Sequence, residues 1–319
     1  MPGFEAIDSR EKKALNSLFR EGGTLMAHGF QKLRKKYHVR EFESACEKYF
    51  GVKKALAVTS GTAGIKIALR ALNIKRGDEV ITQSFNFIAT IEAILDIGAK
   101  PIIVNVNETL NMSPDELSKK ITKKTKAVIP VHMLGVSAEM DQIIRICKKK
   151  KVPVIEDNCE AIGGKYKNKF LGAVGDVGIF SFDHGKIITT GEGGMLLTNN
   201  KSIDKISREY HDHGHENNSK YNRGNDTKKI YGFNYRMTEM QGAIGKVQLS
   251  KLNWIIRQNR VRFKILSDKL NQKYNLRKIP KKSIPNFDTF ILFEKNFKIR
   301  RKIINVLKKN GLGTKNLPD

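Results

Sequence analysis

Seven short β-branched or apolar segments punctuate the first two hundred residues, and helical segments separate the first five of them. ALAVTS (55–60), EVITQS (79–84), PIIVNV (101–106), KAVIPVHM (126–133), VPVIED (152–157), VGIFSF (177–182) and GGMLLTN (193–199) read as strands. Between them IKIALRAL, FIATIEAILDIG, SPDELSKKI and SAEMDQIIRICKKK repeat apolar residues at intervals of three and four, the period of a helix. This alternation predicts an α/β domain built on a mostly parallel seven-stranded sheet flanked by helices. Ligands of such sheets bind outside the carboxyl ends of the strands.

After Lys201 the pattern turns helical, then polar and Gly/Asn-rich through ENNSKYNRGND, then helical again over MTEMQGAIGKVQLSKLNWIIRQNRVRFKILSDKL. The large domain is therefore expected over 1–245. A bridging helix and a smaller, partial α+β domain are expected over 246–319. That second unit offers one strand, FILFE (290–294), and one helix, FKIRRKIINVLKKN, although a lone strand cannot satisfy its own backbone groups.

Composition narrows the class. At 319 residues the chain is long enough for one large core and a smaller one. Apolar runs such as VGIF and GGMLL stop well short of membrane-spanning length, and MPGFEAIDSREKK lacks the apolar segment of a signal peptide. Membrane insertion is not expected. Three cysteines, Cys46, Cys147 and Cys159, without CxxC spacing point to neither disulfides nor zinc, and a reducing cytoplasmic setting is expected. The net charge of +27 raises the question of nucleic acid. The lysines, however, are scattered among Asn and Ile without an RNA-binding aromatic motif or a helix-turn-helix, so solvated faces explain them better, with some attraction for acidic substrates.

Two residues at strand ends carry the chemistry. Asp157 closes the apolar run of VIEDNCEAIGG, and Lys186 follows a strand in FSFDHGKIITTGEGG. One amine for a Schiff base and one carboxylate for a pyridinium nitrogen are what a pyridoxal phosphate enzyme requires. An acid ending a strand often merely caps a helix, and a lysine before a turn is often only exposed; the pair in this order is more specific than either. Around them, TSGTAG (59–64) sets small residues at a helix start, where free N–H groups and the helix dipole suit a phosphate, with Gly61, Thr62 and Ala63 as candidates. Ser181 offers a hydroxyl, and Phe87 a ring able to stack on a planar cofactor, although such a Phe is more often core. In GFNYRMTEMQGAIG, Asn234 and Arg236 are candidate phosphate or substrate ligands, against the plainer readings of a helix-start residue and a surface charge. His211, His213 and His215 alternate as strand ligands of a metal do. With little else around them to complete a metal site, a loop shaping the substrate site is the better reading, and no metal is expected.

TSGTAG, FIAT, IEDNCEAIGG, FSFDHGKIITTGEGG and GFNYRMTEMQGAIG, in this order, resemble the DegT/DnrJ/EryC1/StrS sugar aminotransferases, fold-type I pyridoxal phosphate enzymes. The resemblance implies pyridoxal 5'-phosphate as cofactor, Lys186 as the Schiff-base lysine, Asp157 as the pyridinium partner and Phe87 over the ring. It also implies Thr62, Ala63 and Ser181 around the phosphate, with Asn234 reaching the phosphate of a neighbouring subunit in a homodimer. Glutamate as amino donor and an acidic or nucleotide-linked keto or aldehyde sugar as acceptor follow from it. A sister group of dehydratases carries His at the lysine position, so Lys186 points to amination.

Two departures stand out. Glu160 replaces a common Gln beside the cofactor's phenolic oxygen, where a carboxylate repels a phenolate unless protonated or paired. The chain also stops where members of the family continue their small domain. More narrowly, MPGFE, YHVREFE (37–43), YHDHGHENN (210–218) and GLGTKNLPD look like the branch of the family that forms 8-amino-3,8-dideoxy-manno-octulosonate, an amino form of the lipopolysaccharide sugar Kdo. Arg40 and Arg236 are the candidate contacts for that sugar's carboxylate. A non-catalytic cofactor-binding regulator is the rival class, but it has no need to keep Lys186 and Asp157 together.

Overall fold

The computed structural model describes residues 2–20, 36–216, 225–227 and 229–313. Its centre is a sheet of β1 (Lys54–Val58), β2 (Glu79–Gln83), β3 (Lys100–Val104), β4 (Thr125–Ile129), β5 (Ile155–Asp157), β8 (Val177–Ser181) and β9 (Gly194–Thr198). Hydrogen-bonded ladders join β3-β2-β4 on one side and β5-β8-β9-β1 on the other. Parallel bridges Val128↔Val154 and Val131↔Asp157 close the seam between β4 and β5. The Asp157 amide donates to Pro130 O at 3.0 Å, and the Asp157 carbonyl accepts from the His132 amide at 3.0 Å. Six strands run the same way, and β9 alone is antiparallel to its neighbours. The predicted mostly parallel seven-stranded sheet is thus observed, with its strands where the β-branched runs lie.

Helices cover both faces. α3 (Gly61–Ala71), α4 (Ile88–Asp96) and α7 (Lys201–Tyr210) bury their apolar residues against a core of Leu56, Ile65, Leu69, Ile94, Ile179 and Leu196. On the other face α2 (His38–Phe50) and α8 (Glu239–Leu270) pack over Phe42, Phe180, Phe182, Met195, Leu249 and Leu252. α5 (Pro114–Lys120) and α6 (Met140–Lys150) close a third cluster around Leu117, Val128, Ile143 and Val154. Starts follow local chemistry: Ser60 accepts the Ala63 amide at the head of α3, and Thr238 with Gln241 forms a capping box on α8. α1 (Ser9–Arg20) lies against α8.

The C-terminal region differs from the expectation in detail. The bridging helix begins at Glu239, before the anticipated boundary at 245/246. The run FILFE contributes only the two-residue strand β12 (Leu292–Phe293), and its partner is the short β10 (Asn275–Leu276), which has no sequence pattern of its own. β11 (Ser283–Ile284) instead joins a small sheet on β6 (Lys165–Tyr166) and β7 (Lys169–Phe170) of the large domain. The predicted final helix is α9 (Phe297–Lys309). Part of the polar tract, residues 217–224, lies outside the described residues, as does 314–319 of the ending GLGTKNLPD.

Candidate active site

Strand register brings the sequence motifs together. Gly194 at the start of β9 lies opposite both Val58 at the end of β1 and Ser181 at the end of β8, while Asp157 on β5 lies opposite Ile179. TSGTAG, Asp157 and FSFDHGK therefore meet at one sheet edge, the carboxyl ends of the parallel strands.

Asp157 is buried, with 5% of its surface exposed. Its Oδ2 accepts the Thr90 hydroxyl at 2.6 Å, and its Oδ1 accepts the Cys159 amide at 3.2 Å. No helix follows it, so capping does not explain this acid. Burial, and then the Asp157 carboxylate, push the Cys159 thiol well above its ordinary range, which leaves it a neutral neighbour. Lys186 sits in a turn in which its amide donates to Asp183 O at 3.0 Å and Asp183 Oδ1 accepts the Gly185 amide at 3.0 Å. Its Nζ stands 3.8 Å from Glu160 Oε1. The other oxygen of Glu160 accepts the Leu134 amide at 2.9 Å. The carboxylate in the position where the family often has Gln is thus paired, with a cation on one oxygen and an amide on the other.

At the head of α3 the Gly61 and Thr62 amides have no acceptor among the described residues, and the Thr62 side chain is exposed. This leaves donors at a helix N-terminus. Gly61 is packed so closely that a Cβ there would lie 2.7 Å from Cys159 Sγ and 3.1 Å from Ser181 Cβ. Ala63 and Ser181 are buried beside it. Phe87 caps the start of α4 with 65% of its surface exposed, one turn before Thr90. A ring left out of the core, a buried carboxylate, orphan amides and a lysine at one edge fit pyridoxal phosphate. Gly61→Ala is expected to lower cofactor affinity about tenfold or more through overpacking worth about 1–3 kcal/mol. Cys159→Ala in the same chain should restore part of it, as equilibrium titration of apoprotein with pyridoxal phosphate would show.

Other candidates fall differently. Asn234 is exposed and its Oδ1 accepts the Arg236 amide at 3.3 Å; Thr238, not Asn234, caps α8. Arg236 is no free surface charge: its Nη1 donates to Asp212 Oδ1 at 2.5 Å, and its backbone bridges to Val58. The histidines do not alternate along a strand. His211 is buried at the end of α7 with Nδ1 2.5 Å from Arg208 O, His213 is exposed in a left-handed turn, and the His215 ring meets Asp226 at 2.9 Å. Arg40 lies on α2 with its guanidinium 4.8 Å from the Tyr37 ring. Thr90 lies in the FIAT motif but was given no role from the sequence, and Arg277 carried no sequence signal. Arg277 is buried, donates to Thr109 O and Met133 O at 2.7 Å each, and burial lowers its pKa to about 10.

The fold and this edge define a mixed α/β protein of the fold-type I pyridoxal phosphate class. Residues 24–317 match the family model of the DegT/DnrJ/EryC1/StrS aminotransferases, and the chain belongs to that family. It is 42% identical over 214 residues to a GDP-perosamine synthase of Caulobacter vibrioides, a match covering 67% of this chain and 56% of the relative. A GDP-perosamine synthase of Escherichia coli O157:H7 is 38% identical over 254 residues, covering 79% of this chain and 68% of the relative. The chain thus spans little more than half the length of the first of these proteins. Among solved structures, an aminotransferase from Psychrobacter cryohalolentis superposes with a TM-score of 0.84 at 29% identity, over 96% of this chain and 81% of its own. The E. coli GDP-4-keto-6-deoxy-D-mannose-3-dehydratase with bound hydrated PLP superposes with a TM-score of 0.85 at 28% identity, over 96% and 82%. Among the described residues no helix is long and apolar enough to cross a membrane.

Proposed function

We propose that this protein is a pyridoxal phosphate-dependent aminotransferase that moves an amino group from glutamate to the carbonyl carbon of a sugar. The observation that carries the reading is the convergence of buried Asp157 and Lys186 at one sheet edge, beside the open amides of Gly61 and Thr62. When bound, pyridoxal phosphate supplies an electron sink for the carbon that carries the amino group. Asp157, held by Thr90 and Cys159, keeps a proton on the ring nitrogen. The head of α3 and Ser181 would hold the phosphate, Phe87 would cover the ring, and Asn234 would serve the site of a second subunit in a homodimer. Lys186 would be the covalent anchor of the cofactor, and its free Nζ would carry the proton to and from the donor's Cα.

Glu160 is the charged neighbour of this amine, 3.8 Å away. In Glu160→Gln the visible band of the lysine-bound cofactor is expected to titrate at lower pH, because removing a nearby negative charge makes the protonated form less favourable. A spectrophotometric pH titration checks it, and an unchanged midpoint would place Glu160 outside the electrostatic reach of the cofactor.

For the acceptor we infer an acidic octulosonate with an aldehyde at C8, giving the 8-amino sugar of a lipopolysaccharide core. The support is the combination of MPGFE, YHVREFE and YHDHGHENN and a strongly basic chain that attracts a carboxylate. The amides of His38 and Val39 donate to Glu239 Oε2 at 2.5 and 3.3 Å, which packs the Arg40 segment against the helix that follows Arg236. A nucleotide-linked 4-keto hexose is the second reading, favoured by the GDP-perosamine synthases among the relatives. Offering both acceptors to the pyridoxamine form decides between them. Turnover of the nucleotide-linked sugar alone would reject the octulosonate while leaving the aminotransferase reading in place.

A further inference from the structure

The sequence MPGFE has entered so far only as a resemblance, yet the fold lays Gly3 directly on the lysine turn. The Gly3 amide donates to the carbonyl oxygen of Lys186 at 2.6 Å. Gly3 is buried, and a Cβ on it would lie 2.7 Å from Ile188 Cα and 2.8 Å from Thr189 N, atoms of main chain that cannot swing aside. Only a residue without a side chain lets this strand of backbone approach so closely.

The contact is held from both ends. Lys251 of α8, whose side chain is 1% exposed, donates to Ala6 O at 2.6 Å and to Glu11 Oε2 at 2.7 Å. Gln248, one turn earlier, donates to Glu11 Oε1 at 2.8 Å and accepts the Thr189 amide at 3.3 Å. Buried Ile187 and Ile188 root the far side of the lysine turn in the core. Residues 2–11, α8 and the segment 186–189 therefore form one closed hydrogen-bonded unit, with the Lys186 backbone fixed at its amide by Asp183 and at its carbonyl by Gly3.

We propose that Pro2–Ala6 is a strap that sets the position of Lys186, and that Gly3 is a positioning residue for the bond between that lysine and an aldehyde cofactor. The idea rests on Lys186 being the cofactor's anchor. A lysine side chain has four rotatable bonds, so the reach and direction of Nζ depend on where its Cα is held. Displacements near an ångström in such groups are costly.

The test compares the full chain with Gly3→Ala, with a chain lacking residues 1–4, and with Phe4→Ala, which trims a half-exposed ring and leaves the Gly3 amide in place. Each is loaded with pyridoxal phosphate, and four quantities are read: the dissociation constant, the pH midpoint of the visible band, the amount of lysine-bound cofactor trapped by borohydride, and the melting of the apoprotein. Gly3→Ala and the shortened chain are expected to bind about tenfold more weakly and to titrate at a shifted pH, consistent with the loss of one well-placed buried hydrogen bond. The apoprotein of Gly3→Ala should melt below wild type because its Cβ meets fixed main chain, that of the shortened chain close to wild type, and Phe4→Ala should match wild type throughout. If Gly3→Ala fails to fold, the shortened chain, which introduces no clash, carries the test. Wild-type affinity and midpoint in both, or in the shortened chain a loss of affinity matched by an equal loss of apoprotein stability, overturns the strap and leaves the cofactor reading standing. A wild-type chain that forms no borohydride-trappable bond overturns the cofactor reading and the strap with it.

Discussion

Lys186→Ala is expected to abolish the visible band of the loaded protein and its trapping by borohydride, and to lower transamination by on the order of 10⁴-fold. In the proposed function the amine is both the anchor and the group that moves the proton at the donor's Cα, so one substitution removes two roles. The fold should survive. Among the described residues the Lys186 amine makes one ion-pair contact, to Glu160 at 3.8 Å, which is too long for a hydrogen bond. Glu160 keeps its bond from the Leu134 amide when the cation is gone. Apoprotein melting near that of wild type, together with loss of the band, is the expected result. A borohydride-stable adduct persisting in Lys186→Ala would move the anchor to another lysine.

The sheet was legible because its strands are separated by segments whose apolar spacing changes from the strand period to the helix period, and because each such switch also ends a backbone ladder. The position of Lys186 and Asp157 at one sheet edge was legible for the same reason: strand ends are local features. What lay beyond the sequence was contact between distant segments. Thr90, the last residue of FIAT, reaches Asp157 across 67 positions, Arg277 reaches Met133 across 144, and neither pairing is marked in the sequence. The two-residue ladders of β6, β7, β10 and β11 are too short to carry an alternating pattern. The spacing of the histidine tract, set aside above in favour of a loop, carries no strand geometry. His211, His213 and His215 have strand spacing, but the end of α7 and a left-handed turn at His213 send their rings to different partners. Glu160 gained its meaning only from the Leu134 amide and the Lys186 amine that face it.

Asp157→Asn is expected to retain cofactor and fold while losing about 10²- to 10⁴-fold in the half-reaction with glutamate. The amide is nearly the same size as the carboxylate, and its oxygen still accepts the Cys159 amide. The hydroxyl of Thr90 can rotate to accept from the new NH₂ group in place of donating to Oδ2. Packing and hydrogen bonds are therefore kept, and the Cys159 thiol, neutral through burial, adds no compensating charge. What is lost is the negative charge that holds a proton on the ring nitrogen, and with it the ring's capacity to accept electrons from the donor's Cα. Because the loss lies in the chemical step and not in binding, single-turnover rates should fall while the pyridoxal phosphate dissociation constant changes little. Stopped-flow mixing of the loaded variant with glutamate reads the rate, and equilibrium titration reads the affinity. Near wild-type half-reaction rates would reduce Asp157 to a strand-end ligand for Thr90 and Cys159 and would require another residue to hold the ring proton.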